Sequence, residues 1–219
     1  MRPTLAQLDM ATLAIRTLLP LTSPADTLLR LFFRNHPMMG QNDRAIIAEI
    51  VFGILRHRFF LECLTEKATP RALLVAYLVK FEGMNLRELA TFINESEAKW
   101  LAHIKAITLA SQPLAIQAEF PEWLMAKLQK FLPDNEILRL GQALQQPAPL
   151  DLRVNTLLAK RDEILAVLRQ QGIEAHATPY SPVGVRLTGK PAINKDFIYR
   201  FSAQYKFCRY QLLRNNVNH

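Results

Sequence analysis

The residues able to do chemistry here are mostly arginines. Arg30 and Arg34 fall at the end of one helical run, Arg44 near the start of the next, and Arg56-His57-Arg58 at its close. Guanidinium groups gathered on one face suit phosphate, because each forks onto two oxygens. The same cations near a helix C-terminus offset the macrodipole with no ligand at all. Spacing is compatible with both readings. A second pair, Arg153 and Asn155, shares one face of an alternating stretch while Leu152 and Val154 share the other. That face is either a solvated strand edge or a surface that docks on a partner domain or on RNA.

Other chemistries are thinly represented. Gly184 to Lys190 fits the first seven positions of the phosphate loop GxxxxGK[ST], but Pro191 stands where the metal-binding hydroxyl belongs. The four residues between the two glycines themselves read as a strand, whereas a phosphate loop follows one, so nucleotide binding is rejected. His36, His57, His103 and His176 are scattered, and His57 and Cys63 lack partners at metal-ligand spacing. There is no G-x-S-x-G elbow. Cys63 and Cys208 form neither a disulfide framework nor a cluster and read as structural thiols in a reducing cytoplasm. Glu95 and Glu97 read as a solvated helix start. No catalytic residue and no metal ligand is assigned.

The elements that must position the arginines are helices. Apolar residues recur at helical spacing from Leu5 to Leu19, ended by Pro20. Ser23-Pro24-Ala25-Asp26 predicts an N-cap followed by a helix to Asn35. Asn42 is expected to cap a long third helix with Ile46, Ile50, Ile54 and their neighbours on one side. Thr69-Pro70 opens another helix to Phe81, and two more are expected over 85–93 and 95–109. Together these make a compact helical bundle. Pro121 and Pro133 each open a short helix, the second fading at Gln145. The pattern then changes to a strand over 150–155, a helix over 161–171 and strands over 173–177 and 185–188. Strand, helix, strand, strand is most of a ferredoxin-like unit without its last helix and strand. The fold class is mixed, an all-helical bundle followed by an incomplete ferredoxin-like β-α-β-β unit.

Composition bounds the partners. The 219 residues carry a formal charge of +8, with 13 Lys/Arg against 10 Asp/Glu over 1–110 and 14 against 9 over 111–219. A basic balance fits a polyanionic partner. Half of the residues are hydrophobic, ample for packed cores. The longest apolar run, 72–79, is too short to span a bilayer. Asp9 and Arg16 break the N-terminal pattern, so no secretory leader is expected and the localisation read is cytoplasmic.

A resemblance adds to this. The stretch "APLDLRVNTLLAKRDEILAVLRQQGIEAHATPYSPVGVRLTG", with its P-x-x-x-RVN start and its T-P-x-S-P-x-G-x-R-L end, resembles the segment preceding the catalytic domain in the RsmB (Fmu/Sun) family of ribosomal RNA cytosine methyltransferases. The preceding "EFPEWLMAKLQKFLPDNEILRLGQAL" is similar too. Residues 1–110 resemble that family's NusB-like domain, with "GQNDRAIIAEIVFGILRHRFFLE" at its R-x-x-(x)-E/V-x-x-G-x-x-R helix. The resemblance covers roughly residues 5–197. It implies a NusB-like RNA-binding domain over 1–110, a helical connector over 111–146 and a ferredoxin-like pre-catalytic domain over 147–197.

The family's next segment binds S-adenosylmethionine through a glycine-rich loop and carries a nucleophilic cysteine. After Phe197 this chain reads "IYRFSAQYKFCRYQLLRNNVNH", where Cys208 matches neither cysteine motif. The expectation is therefore a truncated relative, inactive alone and without a cofactor of its own, with a basic, disordered tail over 198–219. Its expected partner is structured RNA, held by Arg30, Arg34, Arg44, Arg56 and Arg58, with Arg153 and Asn155 as a domain-docking pair. The rivals are a protein-interaction module that self-associates through an uncovered apolar face, and a frameshifted fragment without function.

Overall fold

A computed structural model describes residues 2–146 and 148–188; Lys190, Pro191, Phe197, Cys208 and the whole 198–219 stretch lie outside them. The chain divides into two compact units between Gln146 and Pro147. It is mixed α and β with mostly helical content, as the periodicities require.

In the first unit, α1 (Leu5–Leu18) starts at a reciprocal cap. Thr4 accepts from the Gln7 backbone and the Gln7 side chain accepts from the Thr4 N–H at 2.8 Å. Helix α2 (Ala25–Asn35) begins one residue later than Ser23 would set it. Pro24 occupies the N-cap, extended at φ −51° and ψ 136°, and its carbonyl accepts from Thr27 and Leu28. Helix α3 (Gln41–Arg56) is capped by Gly40, whose carbonyl takes the Arg44 N–H, so Asn42 lies inside the first turn and caps nothing.

Arg58 does not close α3. The ladder breaks at His57, whose ring stacks on Phe81 at 3.9 Å, and a separate helix α4 (Arg58–Cys63) follows. Helix α5 (Pro70–Lys80) is the core of the unit. Thr69 caps it, Pro70 sits at its first position, and the seven residues Leu73 to Val79 are all buried. Helices α1, α3 and α4 pack around it, as does α6 (Glu95–Lys105). One glycine admits this packing. A Cβ on Gly53 of α3 would stand 2.1 Å from the Tyr77 hydroxyl of α5.

The helix expected over 85–93 is a series of turns instead. Asn85 and Glu88 cap each other reciprocally, but bonds such as Phe92 N–H to Leu89 O at 2.8 Å tighten the chain. Arg71 then takes the Phe92 carbonyl. Helix α6 also stops short of residue 109, because Lys80 binds the carbonyls of Ile104 and Lys105, each at 3.2 Å, and that of Ile107. A 3₁₀ turn, Leu109–Ser111, precedes α7 (Leu114–Gln117), α8 (Glu122–Leu128) and α9 (Asp134–Gln145). The last three share a small core of Ala118, Phe120, Met125 and Ile137.

The second unit is a split β-α-β with one hairpin strand. Strands β1 (Leu150–Arg153), β2 (Ala175–Ala177) and β3 (Gly184–Leu187) form a sheet of order β1-β3-β2, with β3 antiparallel to both neighbours. Helix α10 (Arg161–Gln170) connects β1 to β2 and ends at Gly172, whose φ of +73° suits glycine. Leu152, Val154, Ile164, Leu168, Val185 and Leu187 form the core. The strands are shorter than expected, with Val154 continuing beyond β1 through an N–H bond of 2.9 Å to Val183 O. Strand β3 begins at Gly184 itself and runs to Leu187, so the first glycine does not follow a strand as a phosphate loop requires.

Candidate nucleic-acid interface

The five candidate arginines of the bundle sort into two groups. Arg30 and Arg34 lie one turn apart on α2, and Arg44 joins them because its guanidinium stands 5.8 Å from the centre of the Phe33 ring. Arg56 ends α3 and Arg58 opens α4 beyond the break at His57. Twelve residues separate Arg44 from Arg56, roughly 18 Å of helix and about a third of a turn around its axis.

Their availability differs. Arg44 donates from Nε to Met39 O at 3.0 Å and holds the 37–39 loop, so its charge is already committed to backbone carbonyls. Arg58 pairs with Glu62 at 2.6 Å. Arg30 stands 3.8 Å from Asp26, both well exposed, a pairing that water screens heavily. Arg34 is exposed and, among the described residues, has no hydrogen bond or ion pair. Arg56 is half-buried at the α3 terminus, and its charge helps burial depress the neighbouring His57 imidazole to about 4. Burial is the larger cause, and the neutral ring stacked on Phe81 is a structural element.

On the second unit the period-two reading holds. Leu152 and Val154 are buried while Asp151 and Arg153 are exposed. Asn155 has local work: its Oδ1 accepts the Leu157 N–H at 3.2 Å and its backbone carbonyl accepts from Leu158 and Ala159. Arg153 has no hydrogen bond or ion pair among the described residues. Asp151 is paired through both oxygens with Arg186 on β3, each contact 2.7 Å, and the arginine holds the carboxyl below its ordinary range.

Three groups assigned no site role by their spacing stand out in the folded chain. Glu97 takes the Arg71 guanidinium at 2.7 Å and caps α6 together with Asn94, so it is not merely a solvated helix start. Glu119 accepts from the Phe59 and Phe60 N–H groups at 2.7 and 3.0 Å, closing the N-terminus of α4 from 59 and 60 positions away. Its backbone sits at φ +55°, uncommon for a residue with a Cβ. Burial pushes its carboxyl up to about 7 against the pull of those two amides. Tyr180, at the β2–β3 turn, is 99% exposed. An aromatic flanked by Pro179 and Ser181-Pro182 was the available signal for it.

Among the described residues no three His, Cys, Asp or Glu side chains come together as a metal-ligand group, and no helix is long and apolar enough to cross a membrane.

Comparison with known proteins converges on one group. The family model described as the Methyltr_RsmF/B-like ferredoxin-like domain matches residues 120–194, taking in α8 and α9 as well as the sheet. The ribosomal RNA small subunit methyltransferase B of Photorhabdus laumondii is 40% identical over 67 residues, 31% of this chain and 15% of that protein. The protein of that name from Klebsiella pneumoniae subsp. pneumoniae is 29% identical over 177 residues, 68% of this chain and 41% of its own length. A probable one from Synechocystis sp. is 24% identical over 220 residues, 83% and 48% respectively. The chain thus spans less than half the length of these curated relatives. A solved structure titled "Crystal Structure of PH0851" aligns with a TM-score of 0.56 at 16% identity, covering 90% of this chain and 52% of that one, a likeness of fold.

Proposed function

We propose that the chain is a relative of the RsmB-type ribosomal RNA methyltransferases, and that residues 2–188 bind structured RNA, chiefly through phosphate. The observation carrying this reading is the family match joined to Arg34 of α2, an exposed cation with no hydrogen bond or ion pair among the described residues. Arg30, Arg34 and Arg44 form one contact group, Arg56 and Arg58 the other. Arg34, Arg56 and the weakly paired Arg30 lose least by turning to phosphate. Arg44 and Arg58 must first release their carbonyl or carboxylate partners. Arg153 serves as a docking cation on the sheet, with Asn155 shaping the turn behind it.

S-adenosylmethionine is the methyl donor such a family implies. The described residues do not fit it. The one β-strand-to-helix crossing, β1 to α10, turns through residues 154–160, which contain no glycine to admit a cofactor backbone. The proposed activity is accordingly binding alone.

A filter-binding titration of the full chain with a labelled RNA hairpin tests this. Affinity is expected to fall steeply with salt, and Arg34→Ala or Arg56→Ala each to reduce the slope by about one. A salt-independent affinity, or none, counts against it. A second reading has its own support, since Trp123, Phe131 and Leu144 of the α8–α9 region are 62%, 83% and 63% exposed. Such an apolar surface serves a protein contact or self-association. Light scattering that shows a concentration-dependent oligomer, abolished by Phe131→Ser, favours that second reading.

A further inference from the structure

The outer face of the three-stranded sheet carries a cleft of about 700 Å³ lined by strands β1 and β3 and by the β2–β3 turn. That volume lies within the range of small-ligand sites. Its lining is polar in a particular arrangement. Asp151 and Arg186 face each other in register and neutralise one another through two hydrogen bonds. Arg153 lies two residues along β1 and is paired in register with Gly184, which offers no side chain to cover it. The charge the cleft presents is therefore that of Arg153, a single guanidinium with all its donors free among the described residues.

The turn opposite is built rather than loose. The Thr178 hydroxyl donates to Ser181 O at 3.3 Å, the Ser181 hydroxyl accepts from Val183 N–H at 3.4 Å, and Arg161 donates to Ser181 O at 3.1 Å from below. Gly184 completes the closure, since a Cβ there would stand 2.1 Å from the Thr178 hydroxyl oxygen. Every polar side chain of the turn is drawn inward. Tyr180 alone is left almost wholly exposed at the cleft rim. The pinned turn fixes the Tyr180 backbone, so stacking on the ring costs side-chain but little backbone entropy.

We infer that this cleft binds one nucleotide of a single-stranded RNA segment, the base stacking on Tyr180 and its phosphate taken by Arg153. The strands themselves carry no aromatic on this face, where Asp151, Arg153, His176 and Arg186 stand, so stacking depends on the turn. A planar base beside a bidentate anion is the chemistry that an exposed tyrosine and a free guanidinium recognise together. This goes beyond the hairpin contact proposed for the bundle and rests on the chain being an RNA binder.

The test is fluorescence anisotropy of the full chain with a fluorescein-labelled single-stranded octa-adenylate, with the RNA hairpin measured in parallel. Tyr180→Ala should weaken octa-adenylate binding by roughly five- to a hundred-fold, with Tyr180→Phe close to the parent. Arg153→Ala should lower the slope of log affinity against log salt by about 0.7. Tyr180→Ala should leave hairpin binding unaltered, and neither change should alter the circular dichroism spectrum. Unchanged octa-adenylate affinity in both variants, with hairpin binding intact, overturns the cleft assignment and leaves the bundle reading standing. Failure of the chain to bind either RNA overturns both. A Tyr180→Ala variant that alters self-association by light scattering while leaving RNA affinity unchanged also overturns it, and assigns the tyrosine to a protein contact.

Discussion

The two units deploy charge in opposite ways. In the helical unit several charged groups turn inward or to the backbone: Arg71 to Glu97 and Phe92 O, Lys80 to three carbonyls, Arg44 to the 37–39 loop, Glu119 to two amides. Among the described residues the sheet unit has one close side chain–side chain pair, Asp151 with Arg186 on an open face, beside a 4.0 Å contact of Arg161 with Asp162. A helix hides its backbone groups except at its ends, so charges that satisfy those ends become structural. A small sheet covered on one side leaves its other face to solvent, and a charge there stays free for a ligand. Charge is part of the scaffold in the first unit and a surface property in the second.

The largest effect that probes this contrast comes from the two cores. Leu74→Ala, at a fully buried position of α5, should cost about 2–5 kcal/mol, and Leu168→Ala in the sheet unit a similar amount. Hydrogen exchange should accelerate along α5 in the first variant and along β3 in the second. Acceleration of both segments by either change would break the distinction between units.

Next in size is the bundle's ion pair. Glu97→Ala removes the Arg71 partner and half of the α6 cap together, and urea denaturation should show a loss of about 1–3 kcal/mol. Because Arg71 holds the Glu97 carboxyl below its ordinary range, this contribution is present above that range and is lost as pH falls through the lowered value.

A smaller effect appears in the pH profile. Glu119, raised from 4.5 to about 7, binds its proton more tightly in the folded chain, so stability declines as pH rises between those values. His57, lowered from 6.5 to about 4, has the opposite sign, and stability grows as pH rises through that window. The two offset each other between about 4.5 and 6.5. Urea midpoints should therefore be nearly flat there in the parent, rise with pH in Glu119→Gln and fall with pH in His57→Phe, by about 1 kcal/mol after allowing for partial solvent access. A parent-like flat profile in both variants would remove the assigned titrations. Smallest is Asp151→Ala, which breaks the exposed pair on the sheet and should leave the midpoint of the sheet unit unresolved from the parent's. A loss matching that of Glu97→Ala would erase the contrast between inward and outward charge.

Much of the architecture was legible because it rests on periodicity. Thr69-Pro70 foretold where α5 begins, and the alternation through Leu152, Arg153 and Val154 foretold the two faces of β1. The ferredoxin-like order was readable from the turn glycines and the change of period. Helix ends were less so. Asn42 and Ser23 are good caps in isolation, but Gly40 and Pro24 already place a carbonyl where the helix begins. Of the candidate site, residue type and strand face were visible, while the partners were not.

Amino-acid order alone thus set what each segment must bury, since apolar spacing against 3.6 or 2 residues per repeat is a property of neighbours in the chain. Only the folded chain decided which charges remain available. Arg71 of α5 meets Glu97 of α6 across twenty-six positions, and Glu119 reaches amides of α4 across sixty. Arg153 stays free because its cross-strand neighbour is a glycine. Whether an ionic group is spent on the fold or left to a ligand depends on which carbonyls, amides and counter-charges come within hydrogen-bond reach, and packing brings these together from segments that the sequence keeps apart.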